Sequence, residues 1–181
     1  MEQVILKTNH LTKRYGHRAV VENLSMTIHQ GDIYGFIGKN GAGKTTLIRM
    51  VTGLAAPSDG SIQLFGSRRI GTVIEAPAFY PGMTARENIV AFSKLQGLHD
   101  FSHTEDLLEL VGLTHTGKKK CRNFSLGMKQ RLAIAIALIG DPELLILDEP
   151  TNGLDPEGMK EVRDLILKLN QEKGITVLVS S

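Results

Sequence analysis

The chain has 181 residues, 41% of them hydrophobic and 22% charged, enough to bury about 70% of the unfolded surface in one domain. This composition excludes disordered and collagen-like classes. Its 21 basic and 19 acidic residues leave a net charge of +2 and are interspersed, so no basic stripe marks a nucleic-acid partner.

Cys121 is the single cysteine, which rules out an internal disulfide and makes a cysteine metal cluster improbable. The longest apolar run, residues 132–139, is far shorter than the roughly 20 residues that span a bilayer. Residues 1–12 lack the apolar stretch of a signal peptide. A cytosolic chain is the expectation.

In chain order, residues 4–7 and 24–28 read as short strands around the turn-rich Tyr15-Gly16-His17. Residues 33–37 form a compact apolar strand, followed by a glycine-rich segment, 38–43, and a helix-compatible stretch, 44–51. Gly53 is placed to end that helix in the left-handed region, and Pro57-Ser58-Asp59-Gly60 turns into an alternating strand at 61–65. Residues 69–75 read as another strand. Thr84 and Glu87 are spaced as a capping box, and a second helix covers about 105–111.

Ser125 is placed to cap a third helix over 126–139, closed by Gly140 and Asp141-Pro142. Leu144-Leu145-Ile146-Leu147 is short and uniformly apolar, as a strand buried on both faces requires. An amphipathic helix over 156–170 and a β-branched strand at 175–179 complete the pattern. Strands alternating with helices predict an α/β fold with a mostly parallel core sheet, an antiparallel N-terminal portion and a helical insertion near residues 77–142.

Gly38-Lys39-Asn40-Gly41-Ala42-Gly43-Lys44-Thr45 fits glycine, four residues, then Gly-Lys-Ser/Thr. A backbone that wraps phosphates needs unusual dihedrals and close approach, which glycine permits. Its amides and the following helix N-terminus offer partial positive charge to phosphates. Lys44 adds a mobile cation and Thr45 a hydroxyl ligand for Mg2+.

The apolar strand at 144–147 delivers Asp148 and Glu149 to its C-terminal end, the edge of an α/β sheet where ligands bind. One carboxylate suits a hydrated Mg2+, and its neighbour suits the orientation or deprotonation of an attacking water. No Asn-Lys-x-Asp guanine-reading sequence occurs, so GTP is disfavoured.

Together these motifs resemble the nucleotide-binding subunit of an ABC (ATP-binding cassette) transporter, across essentially the whole chain. The resemblance implies a P-loop NTPase fold, with residues 1–76 and 143–181 as an ATP-binding core carrying a β subdomain and 77–142 as the helical insertion. It implies Mg-ATP held by Gly38, Asn40, Gly41, Ala42, Gly43, Lys44, Thr45 and Thr46 of the Walker A loop and by Asp148 of the Walker B strand. Glu149 takes the place of the catalytic glutamate, Tyr15 matches the residue that stacks on adenine, and Gly153-Leu154-Asp155 matches the D-loop.

The family's Leu-Ser-Gly-Gly-Gln signature appears as Phe124-Ser125-Leu126-Gly127-Met128. Ser125 and Gly127 would complete the ATP site of an opposite subunit in a head-to-tail homodimer. The resemblance implies an ATPase on the cytoplasmic face of the cell membrane, tied to a separate multi-span permease. A non-transport ABC-type ATPase acting on a soluble macromolecule, and a nucleotide switch, are the rival readings.

Two departures stand out. Glu75 occupies the position of the family's usual glutamine, which makes it a candidate Mg2+ ligand and catalytic residue. This variant resembles bacitracin-type and lantibiotic-protection exporters. The family's switch histidine would follow Ser181, so the chain reads as C-terminally incomplete, with ATP bound but slowly hydrolysed. Of the remaining signals, His99 and His103 lack an obvious third metal ligand. Residues 118–122 read as a solvated basic loop, with a lowered Cys121 thiol pKa or contact with acidic headgroups as the alternatives. Phe79 and Tyr80 suit either core packing or a permease-docking surface.

Overall fold

A computed structural model of the protein describes residues 3–66 and 69–181. Strands β1 (Val4–Tyr15) and β2 (Arg18–His29) form an antiparallel hairpin, joined by Gly16 and His17. Both run longer than the apolar alternation predicts. A register shift between Val4 and Leu6, and others between Thr8 and Leu11 and between Leu11 and Lys13, put adjacent residues on the buried side, so Ile5 and Leu6, and again Leu11 and Thr12, are buried in pairs. Strand β4 (Asp59–Leu64) pairs with the other edge of β1, giving the order β2-β1-β4.

The second sheet contains β3 (Ile33–Phe36), β5 (Ile70–Val73), β6 (Leu144–Leu147) and β7 (Thr176–Ser180) in the order β3-β7-β6-β5, with every neighbouring pair parallel. Strand β6 shows why four consecutive apolar residues are needed. Leu145 and Leu147 join a core with helices α2 (Ala85–Leu95), α3 (His103–Leu110), α4 (Leu126–Ala137) and α5 (Pro156–Lys173). Leu144 and Ile146 point the other way, into a core with α1 (Lys44–Val51) and the antiparallel sheet. All four are at most 1% exposed, and each such burial contributes about 1.5–3 kcal/mol.

Helix starts follow their local chemistry. Thr84 and Glu87 form the predicted capping box: the Glu87 amide donates to Thr84 Oγ1 at 3.1 Å and the Thr84 amide to Glu87 Oε2 at 2.7 Å. Ser125 Oγ accepts from the Met128 amide at 3.2 Å. Asp155 caps α5, which has Pro156 in its first turn and runs to Lys173, one turn beyond the predicted end, before Gly174 turns left-handed at φ 66°. Helix α3 begins at His103, two residues earlier than predicted. No helix among the described residues is long and apolar enough to cross a membrane.

Around the basic segment, the alternative of a lowered Cys121 thiol pKa is overturned. Cys121 is fully buried; burial pushes its thiol upward, only partly opposed by the Asn88 side-chain amide, which donates to Sγ at 3.4 Å. Nearby Lys120 pairs with Glu87 at 3.0 Å instead. Phe79 packs against the helical core, whereas Tyr80 is half exposed with its ring 5.6 Å from Phe92.

Candidate functional site

The glycine-rich loop joins β3 to α1. Gly41 and Gly43 have φ of 81° and 93°, and a Cβ on Gly43 would lie 2.5 Å from the Val20 carbonyl oxygen. Only glycine meets both demands, because β2 passes directly behind the loop. The N-terminus of α1 carries no side-chain cap and no acidic residue in its first turn, so the positive end of its dipole is not offset from within the helix.

Lys44 is only 5% exposed. Its ammonium donates to the Gly38 carbonyl at 2.6 Å and sits 3.2 Å from Glu149 Oε1. Thr45 Oγ1 donates to Asp148 Oδ2 at 2.7 Å. Thus the loop and the acidic pair, about a hundred residues apart in sequence, form one polar cluster. A cavity of about 210 Å3 beside this cluster is lined by Asn40, Glu149, Thr151, Asn152 and Ser181.

Asp148 is also 5% exposed, with its amide donating to Val73 O at 2.9 Å. Glu149 adopts φ 47°, a left-handed conformation that costs a non-glycine residue about 1–3 kcal/mol and marks many functional sites. Its other oxygen, Oε2, accepts from Asn152 Nδ2 at 3.2 Å. The Thr45 hydroxyl and the Asp148 carboxylate form a hard oxygen donor set at a site of little exposure. That set suits Mg2+, which keeps several waters and takes one or two protein oxygens plus substrate phosphates.

Glu75 lies two residues beyond β5, in a left-handed conformation at φ 63°. Its carboxylate pairs with Arg49 of α1, not with Thr45 or Asp148. Tyr15 lies at the tip of the hairpin, half exposed, with the Lys13 ammonium 5.1 Å from its ring centre.

Ser125, Gly127 and Asp155 gather elsewhere. They line a separate cavity of about 690 Å3 together with Arg131, where the N-termini of α4 and α5 meet: Gly127 has no side chain, and a Cβ there would lie 3.9 Å from Gly158 Cα. A larger cavity of about 1050 Å3 lies beside the start of β5, lined by His99 and His103; neither the phosphate loop nor Asp148 and Glu149 line it. There the His103 ring is hydrogen-bonded to Ser93 Oγ at 3.1 Å.

Sequence reasoning did not single out Ser180, Arg49 or Asn152. Ser180 Oγ donates to Asp148 Oδ1 at 2.6 Å and accepts from the Glu149 amide at 2.9 Å. Ser180 belongs to a different strand, 32 residues from Asp148, and no local spacing reveals that.

A parallel sheet with a phosphate loop at the end of one strand and an acidic pair at the end of another defines the α/β P-loop NTPase fold. The sequence profile of the ABC transporter family matches residues 21–152, and the chain belongs to that family. It is 53% identical to the bacitracin transport ATP-binding protein BcrA of Bacillus licheniformis over 98% of its length. It is 44% identical to the lantibiotic transport ATP-binding protein SrtF of Streptococcus pyogenes, also over 98%. The chain spans 61% of the length of the BcrA relative and 80% of SrtF. Among solved structures, cbiO1 from Clostridium perfringens, part of an ABC transporter complex, superposes with a TM-score of 0.87 at 30% identity, covering 99% of this chain and 79% of that one. A dimeric ATP-binding cassette in a post-hydrolysis state with ADP and Pi superposes with a TM-score of 0.81 at 25% identity, covering 98% of this chain and 88% of that one.

Proposed function

We propose that this chain is the ATP-binding and ATP-hydrolysing part of an exporter whose membrane-spanning permease is a separate subunit. The observation that carries this reading is the cluster of Lys44, Thr45, Asp148 and Glu149, joined by contacts of 2.7 Å and 3.2 Å. In it, the loop amides of Gly38, Asn40, Gly41, Ala42 and Gly43, the Thr46 turn and the Lys44 ammonium bind the triphosphate, and Tyr15 takes the adenine. Thr45 and Asp148 hold Mg2+, which neutralises phosphate charge when bound, and Glu75 tunes its affinity. Glu149 accepts a proton from the attacking water. Phosphoryl transfer needs mainly positioning and charge compensation, and these residues provide both.

The helical segment 77–142 carries Ser125 and Gly127, which with Asp155 complete the ATP site of a second copy arranged head to tail. Supporting that arrangement, the two helix N-termini at these residues open onto one cavity away from the chain's own phosphate loop, and a structural relative is a dimeric cassette. The names of BcrA and SrtF support an antimicrobial peptide or similar compound as cargo, and hence a place on the cytoplasmic face of the cell membrane. Phosphate release by the protein in complex with its co-purifying membrane partner tests the reading: ATP-dependent release that stops in Glu149→Gln is expected. Release unaffected by that substitution, or purification with no multi-span partner, contradicts it.

A further inference from the structure

Ser180 ends β7 against the acidic pair and is fully buried. A hydroxyl has one proton to give and can accept in return, and here both capacities are used in one direction. The Glu149 amide donates to Ser180 Oγ at 2.9 Å, and Ser180 Oγ donates to Asp148 Oδ1 at 2.6 Å. Thr45 Oγ1 donates to the other oxygen, Oδ2, at 2.7 Å. The Asp148 carboxylate is therefore gripped at both oxygens, once from β7 and once from α1, which fixes its plane as well as its position. A donor chain that ends on a charge strengthens each of its bonds.

The same hydroxyl also holds Glu149, through its backbone. At φ 47° that backbone is in a conformation which persists only where its surroundings over-determine it, and the bond from its amide to Ser180 is one such constraint.

We propose that Ser180 is a positioning residue for the reaction: it sets the Asp148 carboxylate for Mg2+ and keeps the Glu149 backbone in its left-handed turn. This rests on the reading of the pocket as a Mg-ATP site. A serine that merely fills a buried space would affect stability and nucleotide binding without distinguishing whether metal is present. A serine that orients Asp148 affects the part of binding that depends on metal.

Calorimetric titration of ATP into the 181-residue chain, once with Mg2+ and once with EDTA, separates these roles. In Ser180→Ala the metal-free affinity stays within about twofold of wild type, while the gain in affinity conferred by Mg2+ falls about tenfold, the loss associated with one hydrogen bond to a charged group. Ser180→Cys retains the side-chain volume but replaces a strong donor with a weak one, so it behaves like the alanine variant and also guards against an effect of an empty space. An unchanged Mg2+ gain in Ser180→Ala, an equal loss with and without metal, or full recovery in Ser180→Cys overturns the proposal. A wild-type chain that binds no nucleotide under either condition removes the site reading itself, and the inference with it.

Discussion

Lys44 already has partners before any phosphate arrives: the Gly38 carbonyl at 2.6 Å, the Lys39 carbonyl at 3.4 Å and Glu149 at 3.2 Å. A triphosphate therefore competes with an internal carboxylate for the same ammonium. Lys44→Ala is expected to weaken ATP binding at least about tenfold, since a hydrogen bond to a charged group is worth roughly 1.5–3 kcal/mol; titration calorimetry measures this directly. Glu149→Gln should bind ATP at least as tightly as wild type, because it removes the competing charge. Gly43→Ala acts differently: at φ 93°, with a carbonyl oxygen 2.5 Å from the added carbon, it should destabilise the fold by at least about 2 kcal/mol, read from urea unfolding. The residues that sequence exposed were those defined by local spacing, such as the phosphate loop and Asp148 with Glu149. Ser180 and Arg49 escaped because their partners come from other strands and helices, and nothing periodic in the sequence records such a meeting.

Elements were legible where their ends carry their own chemistry. Helices α1, α2, α4 and α5 all begin where predicted, and for two of them the sequence carries the cap itself, Thr84 and Ser125. Strands β1 and β2 were under-read, since bulges near Leu11 break the alternation on which the prediction depends. The α2 cap also predicts a pH effect. The Glu87 carboxyl is held below its ordinary value, first by the Thr84 amide and then by Lys120. A carboxyl lowered in the folded state contributes stability that is present above its unfolded pKa and lost as pH falls through the folded value. Thermal unfolding of Glu87→Gln should therefore occur at a lower temperature than that of wild type at pH 7, with the difference shrinking as pH falls from the ordinary carboxylate range through the lowered folded value. Helix α1 is tied to the end of β5 by Arg49 and Glu75, both substantially exposed. Such a pair adds less than about 1 kcal/mol of stability, so Glu75→Gln should leave unfolding nearly unchanged while shifting the Mg2+ dependence of ATP binding. An unshifted Mg2+ midpoint would remove Glu75 from the metal's surroundings.

Across the whole molecule, the two cores meet at the parallel sheet, with β6 contributing most: one of its faces belongs to the helices, the other to α1 and the antiparallel sheet. The strand that binds the cores together also ends in Asp148 and Glu149, so the geometry of the acidic pair depends on packing from both sides. The uniformly apolar sequence of β6 made this double burial legible, whereas the cavity shared by α4 and α5 was not, because it arises only when two distant helix starts are packed side by side. The most direct measurement of the central claim is a crystal structure of the chain with Mg2+ and a non-hydrolysable ATP analogue. The triphosphate should lie along residues 38–45 with the metal touching Thr45 Oγ1 and facing Asp148. Nucleotide bound instead in the larger cavity beside the start of β5, or a phosphate loop left empty at saturating analogue, would contradict it.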